Sequence, residues 1–490
     1  MDGTRKQSEI STVDTAILLA SSGVFGNVAA ERSPVGALTC VGGMTLFQRT
    51  LCTLQRGGIA HVLILVGEEE RALRSLVHGD DRIRMVLRWL PVREFPPLHS
   101  QTWEALTGEM NGACLILGCH IVFLPSLIVS LRKEGRTGHA VVPVGQTGEQ
   151  GDANHGRRWR FDFHRDGQPP RVTVADRGAA VLDSMAEEAS GLASAVDLVV
   201  LPVRFFRTSG RWGRSATGAM DPIRLALERA ALEGAVRVLS LAHHGYQDVR
   251  ETDGPRNAER MLFHALQVVQ GSLDGVMDRY VNRKLSRLCS RFFLRLRCSP
   301  TVITVLSLMV GLTGAACFAM GSYWLDILGA VLFQVAVIFD CCDGEVARLT
   351  FAESRVGQVL DIVADNIVHM AIFAGVAWGV AQNSLWQSSS LSLLVGAVAI
   401  VSTGVALWCV QRVKSLKAQS RSWQSLSLTL RSRVDGILER VANRDFSVVV
   451  AVCACLGILP WFLWLGAVGT SVFAVLMAWN LRQALRSRQS

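Results

Sequence analysis

From residue 300 onward the chain is written in long apolar segments with short polar breaks, and no other feature constrains its fold as strongly. A run of about 20 apolar residues matches the hydrocarbon core of a bilayer, where only a helix satisfies its own backbone polar groups. Six such segments can be read, at roughly 301–321, 324–342, 357–380, 391–411, 446–460 and 461–480, the fifth short and broken at Pro460. They predict an all-α, six-helix transmembrane domain over residues 300–490. The first half differs. Compact β-branched or apolar runs at 15–20, 61–67, 113–118, 140–144 and 198–203 alternate with helical stretches such as 45–56 and 223–233. Such alternation predicts an α/β domain over residues 1–250 with a mostly parallel sheet. Residues 251–299 read as a linker and a basic helix, and 146–170, rich in Gly, Asp and Arg, as an exposed excursion.

Charge orients the spans. Arg279, Arg283, Lys284, Arg287, Arg291, Arg295 and Arg297 precede the first span, Arg412, Lys414, Lys417, Arg421, Arg431 and Arg433 follow the fourth, and Arg482, Arg486 and Arg488 follow the last. The opposite loops carry no charge. The positive-inside rule therefore predicts a multi-pass protein of the inner (cytoplasmic) membrane with both termini in the cytoplasm. The polar start, residues 1–12, has no apolar leader and places the first half there too. Tyr280, Leu285, Leu288, Phe292, Phe293 and Leu296 interleave with cations and describe a helix lying in the membrane interface. Its position beside a span argues against nucleic acid as the partner of these cations. The net charge of +9 suits an anionic leaflet and phosphorylated substrates. Twelve scattered cysteines without a Cys-x2-Cys framework argue against disulfides and zinc, and Cys341 and Cys342 read as packing residues.

Within the apolar half, the four acids Asp340, Asp343, Asp361 and Asp365 form a cluster in the sequence. Carboxylates at such depth are costly, so the cluster reads as a functional site. Asp340, Asp343, Gly344 and Ala347 fall on one helical face, and Gly357, Asp361, Asp365 and His369 recur every fourth residue on another. If the two stripes face each other, two divalent cations would match four negative charges, and oxygen-only ligation suits Mg²⁺ or Mn²⁺. Small residues beside them leave space for a phosphorylated group, which is the layout of a phosphoryl-transfer site. Arg355, between the two halves, is a candidate for an acceptor phosphate.

The pattern Asp340-x2-Asp343-Gly344-x2-Ala347-Arg348-x8-Gly357-x3-Asp361-x3-Asp365 resembles the complete signature of the CDP-alcohol phosphotransferase family. The resemblance extends over roughly residues 271–485, with Asp274-Gly275, Arg279-x3-Arg283-Lys284 and Pro300-x3-Thr304 as lead-in elements, although Thr301 stands where the family has Asn. It implies that Asp340, Asp343 and Asp361 bind two metal ions. Asp365 would bind one of them and act as the base toward the attacking hydroxyl. Gly344, Ala347 and Gly357 would make room for the CDP group, with Arg348 helping to hold it. It also implies a CDP-alcohol donor, an alcohol or phospho-alcohol acceptor, contact with membrane lipid, release of CMP, and a homodimer.

In the first half, Leu18-Leu-Ala-Ser-Ser-Gly23, Ser33 to Gly43 and Arg56 to Gly67 resemble the start of the sugar-phosphate nucleotidyltransferase fold, and Tyr246-Gln-Asp248-Val resembles the strand that supplies an Asp near its end. Fusion of the two resembles bifunctional inositol-phosphate cytidylyltransferases. The chemistry of that first domain is missing. Ser21-Ser-Gly-Val-Phe-Gly-Asn-Val28 lacks the phosphate-binding Arg, Val35 replaces a Lys, and Cys119-His120 stands where a metal-binding Asp is expected. His243-His244 reads as incidental. The expectation is a degenerate binding or regulatory module attached to a membrane phosphotransferase. The alternatives are a bifunctional enzyme that also makes its own CDP-alcohol, and, from another class, an acid-lined ion transporter.

Overall fold

In the computed structural model the described residues are 13–20, 36–97, 99–108, 110, 112–146, 158–162, 171–175, 193–195, 198–206, 222–241, 244–250, 253–270, 282–382, 389–419 and 446–486. The segment 21–35 with its Gly-rich loop, and residues His243, Asp274, Gly275, Arg279, Tyr280, Arg421, Arg431, Arg433 and Arg488, lie outside them. The chain divides into two compact units, Met1–Ala265 and Leu266–Ser490.

The first unit contains strands β1 (Thr15–Leu19), β2 (Cys40–Val41), β3 (Met44–Thr45), β4 (His61–Val66), β5 (Val86–Pro91), β6 (Ala113–Gly118), β7 (Ile121–Phe123), β8 (Ala140–Gln146), β9 (Arg158–Asp162), β10 (Arg171–Ala175), β11 (Ala193–Ala195), β12 (Leu198–Pro202), β13 (Val236–Ser240) and β14 (Tyr246–Asp248). Its helices are α1 (Leu46–Arg56), α2 (Glu70–Val77), α3 (Ser100–Gly108), α4 (Pro125–Gly135) and α5 (Pro222–Leu232), while α6 (Gly254–Gln270) runs across the division. The parallel core is β6-β1-β4-β5, and β13 adds in parallel to β8; β12 joins β6 to β8 antiparallel, and β11, β9 and β10 extend that edge. β6 and all of β1 after Thr15 are apolar because central strands are buried on both faces. Alternation sends Ala16 and Leu18 into one apolar layer with Phe47, Leu51 and Ile128, and Ile17 and Leu19 into the opposite layer with Trp103, Phe206 and Ala226.

Two local readings are corrected. Thr45 does not begin the first helix but caps it, its hydroxyl accepting from the Gln48 N–H at 3.2 Å, which satisfies one of the amides that a helix start leaves unpaired. Part of the 146–170 excursion is sheet: Arg158–Asp162 pairs antiparallel with β10 and β11. Its alternating sequence competes for an open edge more effectively than its polarity suggests.

The second unit holds α7 (Arg283–Arg295), α8 (Pro300–Ala319), α9 (Tyr323–Leu349), α10 (Arg355–Gln382), α11 (Ser389–Gln419), α12 (Phe446–Cys455) and α13 (Leu459–Arg486). Ser299 caps α8 and Pro300 opens it, so the first membrane helix begins where its missing N–H costs nothing. Five of these helices are long and apolar enough to cross a membrane, which makes the chain a multi-pass membrane protein. The fifth expected span differs. Its described part, α12, has ten residues, about 15 Å of helix, and the turn at Gly457 (φ 68°) ends the element before Pro460.

Small residues set the spacing of the bundle, as expected where lipid supplies no hydrophobic drive between helices. A Cβ on Gly314 would stand 3.0 Å from the Gly329 carbonyl oxygen, and one on Gly375 would overlap the Ala315 carbonyl oxygen. Gly375→Leu is therefore expected to push α10 off α8 and destabilise the bundle by about 3 kcal/mol, read as an earlier thermal transition in detergent.

Candidate metal and nucleotide site

The signature is split between the last turns of α9 and the first turns of α10. α9 ends in a Schellman-type turn in which the Ala352 N–H donates to the Ala347 carbonyl at 2.9 Å and Phe351 takes a left-handed conformation (φ 55°). Ser354 then caps α10, its hydroxyl accepting from the Gly357 N–H at 2.9 Å. This reversal lays the two stripes side by side. Carboxylate oxygens of Asp340, Asp343 and Asp361 come within 4.8 Å of one another, an acidic group that can hold a metal ion. Three carboxylates so close repel unless a cation or a proton intervenes, and an all-oxygen donor set fits a hard divalent cation.

Asp343 is 5 % exposed, and the Thr304 hydroxyl on α8 donates to its Oδ2 at 2.5 Å, fixing the carboxylate's orientation. Asp365, one turn beyond Asp361, stands apart from the three-acid group; its side chain is half exposed and its Oδ1 lies 3.2 Å from His369 Nδ1. The four acids are thus not equivalent. Gly344 faces the guanidinium of Arg348, which a Cβ there would approach to 3.1 Å, and the Arg348 Nε is buried without a hydrogen-bond partner among the described residues. A buried guanidinium N–H beside an acidic group is a donor suited to a phosphate oxygen. Ala347 is half-buried one turn along the same face as Gly344. Gly357 has a local reason to be glycine, since a Cβ would sit 3.0 Å from the capping Ser354 hydroxyl. Arg355 opens α10 and is exposed.

Sequence reasoning missed Glu345. It is 3 % exposed and accepts from the hydroxyls of Ser286 at 2.8 Å and Ser290 at 2.7 Å, with Arg283 at 3.4 Å. All three partners lie on α7, where their i, i+3, i+7 spacing is a polar stripe that could have been read. The stripe, with Phe293 edge-on to Phe339 at 5.3 Å, turns α7 toward α9, so Phe293 is core and not part of the membrane face. Leu285, Leu288, Phe292 and Leu296 remain exposed. Removing Glu345 takes the shared carboxylate acceptor from two buried hydroxyls and from Arg283. Glu345→Ala is expected to cost about 3 kcal/mol and to free α7 for proteolysis between residues 282 and 297.

In the first unit, β14 pairs antiparallel with β7, bringing Asp248 opposite Ile121, two residues from Cys119. The Asp248 carboxylate is engaged by Arg250, Nη2 to Oδ2 at 2.6 Å. Burial pushes the Cys119 thiol well above its ordinary pKa, so it remains neutral.

Three acids gathered on membrane helices beside a guanidinium N–H without a hydrogen-bond partner among the described residues form a candidate site for a cation and a phosphate. Residues 297–479 match the family model described as CDP-alcohol phosphatidyltransferase. The phosphatidylinositol phosphate synthase of Mycolicibacterium smegmatis is 30% identical over 188 residues, covering 38% of this chain and 75% of that protein. The chain belongs to the CDP-alcohol phosphatidyltransferase family. Over most of its length it is also similar to the bifunctional IPC transferase and DIPP synthase of Rubrobacter xylanophilus, 27% identical over 404 residues, 81% of this chain and 84% of that protein. Two further relatives of that description are matched over 34% of their own length. Among solved structures, the inositol-1-phosphate CTP transferase from T. maritima covers 51% of this chain and 95% of its own, at 16% identity and a TM-score of 0.36.

Proposed function

We propose that the chain transfers a phospho-alcohol group, phosphatidyl or phosphoinositol-like, from a CDP-alcohol to an acceptor hydroxyl with release of CMP. The observation that carries this reading is the Asp340, Asp343 and Asp361 group beside the unpaired Arg348 Nε. Two Mg²⁺ or Mn²⁺ ions held by these acids, with Asp365 reaching one of them, would offset charge building on the transferred phosphate. Thr304 holds Asp343 in its ligating orientation. Arg348 takes a donor phosphate oxygen, and Gly344, Ala347 and Gly357 leave the nucleotide room. Asp365 accepts the proton of the acceptor hydroxyl as its oxygen bonds to the β-phosphorus, the bond from that phosphorus to the bridging oxygen breaks, and CMP departs. Arg355, exposed at the start of α10, meets a phosphate on the acceptor.

A cavity of about 300 Å³ lined by Phe446, Phe462, Leu465 and Phe473 lies within the membrane helices, and the Phe446 ring is 5.4 Å from that of His369. An apolar space whose Phe446 wall also packs against His369, the partner of Asp365, favours a hydrocarbon-bearing substrate over two soluble ones. The protein lies in the inner membrane with both termini cytoplasmic, and works as a homodimer as its family does. The first unit is a degenerate module without nucleotidyl transfer.

The test offers the purified protein CDP-diacylglycerol and CDP-inositol with candidate acceptors, and scores CMP release before and after chelation. Metal-dependent CMP release with an organic-extractable product is expected. Ion flux in proteoliposomes without CMP release from any donor would overturn the reading in favour of a transporter.

A further inference from the structure

The α10 stripe does not end at Asp365. One turn on, the Nδ1 of His369 lies 2.8 Å from the Asp365 carbonyl oxygen and 3.2 Å from its Oδ1. Both are acceptors, so Nδ1 carries the hydrogen and donates to the pair. That donor exists in the neutral Nδ1–H tautomer and in the imidazolium alike. The ring is held from two other elements: Phe333 of α9 meets it edge-on at 5.8 Å, and Phe446 of α12 lies against it at 5.4 Å. An imidazole fixed by two aromatic neighbours offers its donor in one place, whereas the half-exposed Asp365 side chain has rotamers to choose from.

We propose that His369 is a positioning residue for Asp365, holding its carboxylate in the one orientation that meets the acceptor hydroxyl. The inference rests on the reading of Asp365 as the base. Without the contact, the half-exposed carboxylate samples other rotamers and loses its alignment with the hydroxyl. Substrate binding, which runs through Arg348 and the three-acid group, is left in place. His369 therefore acts on turnover and not on donor affinity.

The experiment compares full-length His369→Phe, His369→Asn and His369→Gln with Asp365→Asn by CMP release. Phe keeps the ring between Phe333 and Phe446 but removes the donor, Asn places an amide nitrogen near the Nδ1 position, and Gln places it near Nε2. His369→Phe is expected to lower kcat by about tenfold with the donor KM within about twofold, and His369→Asn to recover to within about threefold of the parent while His369→Gln does not. In an Asp365→Asn background, His369→Phe should cause no further loss. A parental kcat in His369→Phe beside an inactive Asp365→Asn would sink the positioning role and leave the base intact, as would equal losses in the Phe and Asn variants. An active Asp365→Asn would remove the base reading itself and this inference with it.

Discussion

Asp365→Asn releases CMP at least about a hundredfold more slowly than the parent, with an unchanged melting temperature. The substitution keeps the side chain's size and one acceptor for the His369 Nδ1–H, so the fold loses little. What it removes is basicity. An amide cannot take the hydroxyl proton, and the nucleophile must then attack protonated. Asp365 is half exposed and outside the acids that approach within 4.8 Å, so the three-acid group survives the change and metal binding persists, weakened only at the ion that Asp365 reaches. Calorimetric titration with Mn²⁺ separates the two roles: retained binding with lost turnover fits a base, whereas proportional loss of both would reassign Asp365 to the metal alone. Near-parental CMP release by a folded Asp365→Asn protein refutes the mechanism.

The second large effect is an absence. The full-length protein, given CTP, Mg²⁺ and inositol 1-phosphate or other phosphorylated alcohols, is expected to release no pyrophosphate above background while still transferring from a supplied CDP-alcohol. Cys119, buried at the end of β6 with its thiol held neutral, cannot replace a metal carboxylate, and Asp248 already has Arg250 at 2.6 Å. Val35 offers no cation for a triphosphate. Such charges normally stabilise the transferring phosphate by several kcal/mol, and neutral side chains supply none of it. Steady pyrophosphate release that Asp248→Ala abolishes would reveal a substitute site.

Both expectations draw on features of unequal legibility. The strands at 15–20, 61–67 and 113–118 were readable because buried parallel strands are apolar without interruption, and the structure places them as β1, β4 and β6 at the centre of the sheet. The short strands β7 and β14 carry no such signal, being three residues each, and only their pairing puts Asp248 near Cys119. The interfacial helix was legible as an element but not in its rotation. Counting apolar residues assigned Phe293 to the membrane, whereas the hydrogen bonds of Ser286 and Ser290 to Glu345 turn it inward.

The sequence by itself determined five of the six expected membrane helices and the two faces of the signature, because apolar length and a helical period of 3.6 are local properties that survive any packing. It could not decide that Asp340, Asp343 and Asp361 converge while Asp365 stands apart, nor that Thr304 and Glu345 serve the same region. Those outcomes depend on side chains far apart in the chain: Thr304 meets Asp343 across 39 residues, and Ser286 meets Glu345 across 59. Glycine-mediated close approach of α8, α9 and α10, and the turn from Ala347 to Gly357, set which oxygens meet. Residues equally polar in sequence thus take different environments, since a carboxylate's chemistry is fixed by the neighbours that packing gives it.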